Sequence, residues 1–288
     1  MNYRHAYHAG NFADVLKHVV LTALVDRLTQ KDKPFAVLDV HAGRGRYALG
    51  AAAARRTNEH ASGIARLWAA CDDAPPLTRR YLELVRAENA CAGASGEAPP
   101  LDVYPGSPLL VSRQLRAADR LQACELEAGE HAALAALLRT DRRVAVHRRD
   151  AWEALGALLP PREKRGLVLI DPPYEPPAAE QERAIAGLRE VRRRFANGIV
   201  ALWYPIKDGA GARSFLRRLA APGLGEALVV ELCVWPDDTR VRMNGSGMLI
   251  VNPPWQFEVA LAAELPWLWQ HLANDGLGRY TIERLGAA

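Results

Sequence analysis

Apolar positions along the chain follow two alternating patterns. Short apolar runs at 35–40, 121–126, 144–147, 167–170, 199–204, 228–235 and 248–251 read as strands buried in a sheet. Between them, apolar residues recur three and four apart at 129–139, 151–159, 178–196 and 210–220, the spacing of helices that bury one face. A last helix carries Trp267 and Trp269. The first element is a helix over 12–30: Val15, Leu16, Val19, Val20 and Leu24 form its stripe, and Lys17 and His18 lie off it. Asn11 can cap its start and Pro34 closes it. Strands alternating with helices, ending in two strands joined by a shorter loop, predict an α/β fold. Its sheet is mostly parallel with one antiparallel edge strand, taken as 248–251.

Residues 48–103 break the alternation. Ala, Arg and Glu dominate, and Pro75-Pro76 and the stretch 92–100 punctuate two amphipathic segments. They read as a helical insertion into a body formed by 1–47 and 104–288. Tyr104-Pro105-Gly106-Ser107-Pro108 then forms a turn, with a helix expected to about residue 118.

The candidate chemistry lies at strand ends. The run 167–170 stops abruptly at Asp171-Pro172-Pro173-Tyr174. Two prolines cannot continue a ladder, so a carboxylate, rigid carbonyls and an aromatic ring are left at the C-terminal edge, where open α/β sheets bind ligands. The first strand runs into His41-Ala42-Gly43-Arg44-Gly45, a Gly-x-Gly turn with Ala48 where a dinucleotide fingerprint has its third glycine. A helix is expected after that turn. Glu125 and Asp150 end the next two strands. Glu125 suits a ribose diol and Asp150 an adenine exocyclic amine, while the plainer role for Asp150 is a helix cap. Together these features suit a nucleoside with a cationic centre, S-adenosylmethionine (SAM), and methyl transfer to an amine. An aromatic amine is a weak nucleophile. Accepting its N–H bonds with Asp171 and the Pro172 carbonyl would expose its lone pair, and Tyr174 would stack on the base. Asn252-Pro253-Pro254-Trp255 repeats the pattern, but an antiparallel strand would leave it on the opposite edge. The loop carrying Arg240, Arg242, Met243, Asn244 and Gly245 falls on the active edge and is a candidate substrate contact.

Composition narrows the setting. Apolar residues make up 49% and charged residues 24%, so the chain is globular. No run is long enough to span a bilayer, and the N-terminus lacks the apolar core of a secretory signal. Cys71, Cys91, Cys124 and Cys233 have no metal-binding spacing, which fits a reducing cytoplasm. The net charge of +4 permits nucleic acid without requiring it. Residues 1–11, with Tyr3, Arg4, His5, Tyr7 and His8, have the composition of an RNA-touching arm, the alternative being a frayed end.

The blocks YRHAYHAGNFADVLKH, LDVHAGRGRY, YPGSP, LIDPPY, ALWYP and SGMLIVNPPW resemble the bacterial 23S rRNA (adenine-N6)-methyltransferase J family over nearly the whole chain. The resemblance implies a Rossmann-like SAM fold with a small helical insertion, and a target, adenine 2030 of 23S rRNA. It further implies that His18, His41, Ser107, Glu125, Asp150, Ala151 and Asp171 line the SAM site. Asp171 would be the catalytic acceptor and Tyr3 a substrate contact. A cytoplasmic monomer without metal is expected. Guanine-N2 methylation of rRNA and adenine-N6 methylation of DNA remain open to a DPPY loop, as does glutamine methylation in proteins, which the related NPPY loop serves. So does an RNA-binding module without catalysis.

Overall fold

The structure is a computed structural model that describes residues 5–90, 99–220, 224–239 and 243–285. Helix α1 (Phe12–Thr29) precedes β1 (Ala36–Asp39). A short ladder, β2 (Arg46–Ala48) against β3 (Val103–Pro105), frames α2 (Ala52–Thr57), α3 (Ile64–Ala69) and α4 (Pro76–Asn89). Then follow α5 (Ser107–Ser112), β4 (Arg120–Cys124), α6 (Ala128–Leu138), β5 (Val144–His147), α7 (Ala151–Leu158), β6 (Gly166–Ile170), α8 (Pro177–Arg194) and β7 (Ile199–Ile206). The chain ends with α9 (Gly209–Leu219), β8 (Ala227–Cys233), β9 (Gly245–Val251), α10 (Phe257–Leu272) and β10 (Arg279–Leu285).

Eight strands form one sheet in the order β10-β8-β9-β7-β6-β1-β4-β5. Strands β5, β4, β1, β6 and β7 are mutually parallel. Strand β9 is antiparallel, as expected, but it lies between β7 and β8 and is buried at all seven positions. The antiparallel edge strand is β10, which pairs with β8 and was not legible as a strand. Its Arg279, Glu283 and Arg284 suit a solvated edge, where charge discourages further pairing. Two other expectations change. The Gly43–Gly45 turn is followed by β2 rather than a helix, and α5 ends at Ser112 rather than near 118.

Helix α1 lies on one face of the sheet and is covered by α4, α5 and α10. It is buried from Ala13 to Val25, polar positions included. A helix enclosed on all sides has no solvent stripe, so Asp14, Lys17, His18 and Thr22 are carried inside with the leucines and valines. Asn11 caps it, accepting from the amides of Ala13 and Asp14. Ile64, Leu67, Tyr81, Leu82 and Val85 of the 49–102 segment share the core of α1 and the sheet.

Strand order reverses between β1 and β6: β4 and β5 lie beyond one, β7 and its neighbours beyond the other. Such a switch point opens a crevice at the C-terminal ends of the two strands. The Gly43–Gly45 turn leaves β1 there and Asp171 leaves β6 there.

Candidate active site

Asp171 is held from two directions. Lys17 Nζ donates to its Oδ2 at 2.6 Å, and its backbone N–H donates to His41 Nδ1 at 3.3 Å. Its second oxygen, Oδ1, takes no hydrogen bond from any described residue. Lys17 itself is 4% exposed and reaches Asp14 Oδ1 at 2.8 Å. Asp14 Oδ2 in turn accepts the Gly10 amide at 2.9 Å and meets His5 Nε2 at 3.0 Å. A chain of polar contacts thus runs from His5 in the N-terminal segment through the buried Asp14 and Lys17 of α1 to Asp171 at the end of β6. Burial opposes ionisation of both inner members, but the partners outweigh it. Asp14 and Asp171 raise the Lys17 pKa, while His5 and Lys17 hold the Asp14 carboxyl well below its usual range. Asp14 and Lys17 were not identified from the sequence. The available signal was two opposite charges three residues apart in a helix otherwise made of core residues.

His41 is pushed down to about 4, chiefly by burial, and Trp152 meets its ring edge-on with centroids 5.5 Å apart. It is therefore neutral at pH 7, which lets Nδ1 accept from Asp171 while Nε2 carries the proton. Asp39, at the end of β1, is fully buried. It accepts Ser107 Oγ at 2.7 Å and the His41 amide at 3.3 Å, and burial pushes it up to about 6. Sequence alone does not mark it as a site residue, although it ends the strand that feeds the glycine turn.

The glycine turn is fixed by its neighbours. Gly43 and Gly45 take φ of +60° and +77°, left-handed values that glycine adopts without strain. A Cβ on Gly43 would clash with the Tyr47 hydroxyl. Glu125 Oε2 accepts the Gly43 amide at 2.9 Å, and Oε1 accepts the Glu127 amide at 2.7 Å. Burial pushes the Glu125 carboxyl up, and these two amides partly offset it. Each carboxylate oxygen retains a lone pair that could face a diol.

His18 follows Lys17 in α1 and is likewise buried. Its Nδ1 meets the Tyr104 hydroxyl at 2.7 Å, and that hydroxyl meets Tyr81 at 2.9 Å. Burial holds its pKa well below normal, and its Nε2 is buried with no partner. A neutral imidazole with an orphaned nitrogen 1% exposed calls for a polar ligand atom. With the Ser107 hydroxyl and the Glu125 carboxylate, this donor and acceptor set fits SAM. No cluster of three or more His, Cys, Asp or Glu among the described residues could hold a metal.

Asp150 has a second role, and two expectations come out differently. Asp150 is a helix cap: its Oδ1 accepts the Trp152 amide at 2.9 Å and the Glu153 amide at 3.2 Å, ahead of Ala151, the first residue of α7. Its Oδ2 lies 3.4 Å from Arg183, leaving an oxygen on the crevice side only loosely engaged. Tyr174 does not offer its ring to a base. With φ of +52° the backbone turns inward, and the ring is 4% exposed against Trp203 and Phe215. Its hydroxyl donates to the Trp203 carbonyl at 2.9 Å. Asn244 is also turned inward, donating to the carbonyls of Lys207 and Thr239 at 2.8 Å each, so it cannot serve as a surface contact. Pro172 is buried beside Asp171. Tyr3, Arg240 and Arg242 lie outside the described residues. The described part of the arm begins with a short turn at His5–Tyr7, and His8 and Asn11 tie it to Glu59 at 2.9 and 3.0 Å.

The Asn252 repeat is placed as strand direction required. Val251 pairs with Val200 near the start of β7, so Asn252 is on the edge opposite Asp171. Its amide donates to the carbonyls of Ala196 and Gly198 at 2.8 Å each, a structural use.

Comparison with known proteins places the chain in a family. A family model described as ribosomal RNA large subunit methyltransferase D, RlmJ, matches residues 32–285. The chain is 43% identical to an Escherichia coli protein named ribosomal RNA large subunit methyltransferase J, over 98% of each chain. It is 38% identical to the Haemophilus influenzae protein of the same name, again over 98% of each. A solved structure from Legionella pneumophila, 35% identical, superposes with a TM-score of 0.87 over 97% of this chain and 99% of that one. On this evidence the chain belongs to the ribosomal RNA large subunit methyltransferase J family and has its Rossmann-like α/β fold.

Proposed function

We propose that the chain methylates the exocyclic N6 of an adenine in 23S rRNA, at position 2030, using SAM. The observation that carries this reading is the Asp171 carboxylate, fixed at the sheet's switch point with one oxygen engaged by Lys17 and the other open. The names of the relatives support rRNA as the substrate class, and the resemblance supplies the base and its position.

Bound SAM supplies an electrophilic methyl group. His18, Ser107, Glu125 and Asp150 would hold it, with the Gly43–Gly45 backbone close beside. The open Asp171 oxygen and the Pro172 carbonyl would accept the two N–H bonds of N6, drawing its lone pair toward the methyl group, and the N6 proton would leave to Asp171 or solvent as the methyl group arrives. Lys17 holds the carboxylate in place. The base has to leave its stack to reach so enclosed a position. Tyr174 supports the loop from beneath rather than stacking on the base.

The test is transfer of label from SAM to rRNA of cells lacking the enzyme, followed by mapping of the modified nucleotide. N6-methyladenine at one site is expected. N2-methylguanine, or no label in RNA, would overturn the proposal.

A further inference from the structure

The edge of the sheet opposite Asp171 is a concentrated band of positive charge. Every parallel strand begins there, fed by the segments 31–34, 116–120, 139–143, 162–165 and 190–197. These segments hold thirteen Lys and Arg against five Asp and Glu, a net charge of +8. The whole chain carries only +4, so the remainder is net negative. The sheet register places the segments side by side: Ala36 pairs with Arg120 and Gly166, Leu121 with Val144, and Leu167 with Ile199. From β5 to β9 the band crosses six strands, about 24 Å at the usual strand spacing.

The band is rigid. Arg165 donates to the Leu28 and Lys33 carbonyls, and Arg116 to those of Thr29, Lys31 and Lys33. Asn197 donates to the Lys164 carbonyl, and Asn252 ties the last strand end to the same loop. Some cations are thus spent on the frame, while Lys31, Lys33, Arg139, Arg142, Arg162 and Lys164 are exposed and in no ion pair among the described residues. At the end of the band stands Trp255, 84% exposed, presented by Pro253-Pro254. Just beyond it, Glu226 and Glu258 neutralise Arg284, and the positive stretch stops.

Fixed loops carrying unpaired cations in a row, with an exposed indole at one end, are suited to phosphates and a stacked base. We propose that this rim is a second polynucleotide-binding surface, which grips a part of the substrate RNA remote from the base being methylated. The inference takes its partner from the rRNA reading above. A hairpin of a few base pairs lodged at Asp171 stays on that edge of the sheet, whereas a folded multi-helix domain is large enough to cover the opposite edge as well.

The experiment measures binding by fluorescence anisotropy over a range of salt, without SAM. Two transcripts are compared: a multi-helix 23S rRNA domain containing the target adenine, and the single hairpin that carries it. The variant Arg142→Glu/Arg162→Glu/Lys164→Glu should bind the domain about tenfold or more weakly, with a salt slope shallower by roughly two to three. Trp255→Ala should weaken domain binding about fivefold or more. Hairpin binding and hairpin methylation should stay at wild-type values in both variants. Domain affinity within twofold of wild type, or an equal loss on the hairpin, would overturn the proposal. So would an equal loss from Arg217→Glu, an exposed arginine on α9 away from the rim, or binding to phosphatidylserine vesicles in place of RNA. Domain-selective loss in the variants, with no methylation by the wild type, would support the surface and sink the proposed reaction.

Discussion

Lys17 Nζ lies 2.6 Å from Asp171 Oδ2, across 154 positions of sequence, and both groups are largely buried. The pair joins the first helix to the loop after β6. Through Asp14 it also joins both to His5, so the N-terminal segment and the candidate catalytic carboxylate belong to one ionic network.

Replacing Lys17 with Met therefore leaves two carboxylates without their cation. Breaking a buried pair in this way costs about 3–5 kcal/mol. The expected outcome is a lower melting temperature together with loss of methyl transfer, read by calorimetry and by label incorporation. A variant that melts and turns over like the wild type would show that the pair contributes little.

Asp171→Ala should remove turnover, by at least about a hundredfold, as expected when a group aimed at the reacting atoms is deleted. Its SAM affinity should fall less than that of Glu125→Ala, because Glu125 also fixes the Gly43 amide. Titration calorimetry with SAM beside single-turnover rates separates the two effects. Equal loss of affinity in both variants would make Asp171 mainly a cofactor ligand.

His41 should titrate near 4 rather than near 6.5 when followed by NMR. Its folded pKa lies below its unfolded one, so its contribution to stability is complete above about pH 6.5 and is lost as pH falls through 4. His41→Gln should flatten that part of the stability profile. A His41 titration at the ordinary value would mean that the imidazole is not the neutral acceptor of the Asp171 amide.

Tyr174→Phe removes one hydrogen bond, to the Trp203 carbonyl, worth about 0.5–1.5 kcal/mol, and should leave turnover nearly intact. Tyr174→Ala opens a core cavity and should cost about 3–5 kcal/mol. If Tyr174→Ala instead slowed methylation severely with little change in melting temperature, the ring would be a base platform after all.

Asn252→Ala should lower stability by about 1–3 kcal/mol, since two loop carbonyls lose their donor, and leave the rate on a hairpin substrate unchanged. A rate loss like that of Asp171→Ala would contradict the assignment of the two proline-proline motifs to opposite edges.

Much of the molecule was legible in the chain. Wholly apolar runs such as Gly166–Ile170 have one stable use, a strand covered on both faces, and a double proline must end it, so Asp171 was marked as a strand-end carboxylate by local chemistry alone. The direction of β9 also followed from connection length, and with it the demotion of Asn252. Other features were decided only by packing. The stripe on α1 suggested a helix with one wet face, but α4, α5 and α10 enclose it, and only that enclosure forces Lys17 inward to meet Asp171. Likewise, Tyr174 reads as an aromatic offered at an edge until the left-handed turn folds it into the core. The charge band was scattered over five segments and became continuous only when parallel pairing aligned the starts of the strands. Periodicity and prolines act within a few residues and can be read in order. Ion pairs, ring burial and surface charge depend on groups brought together from far along the chain, and only the tertiary structure sets those distances.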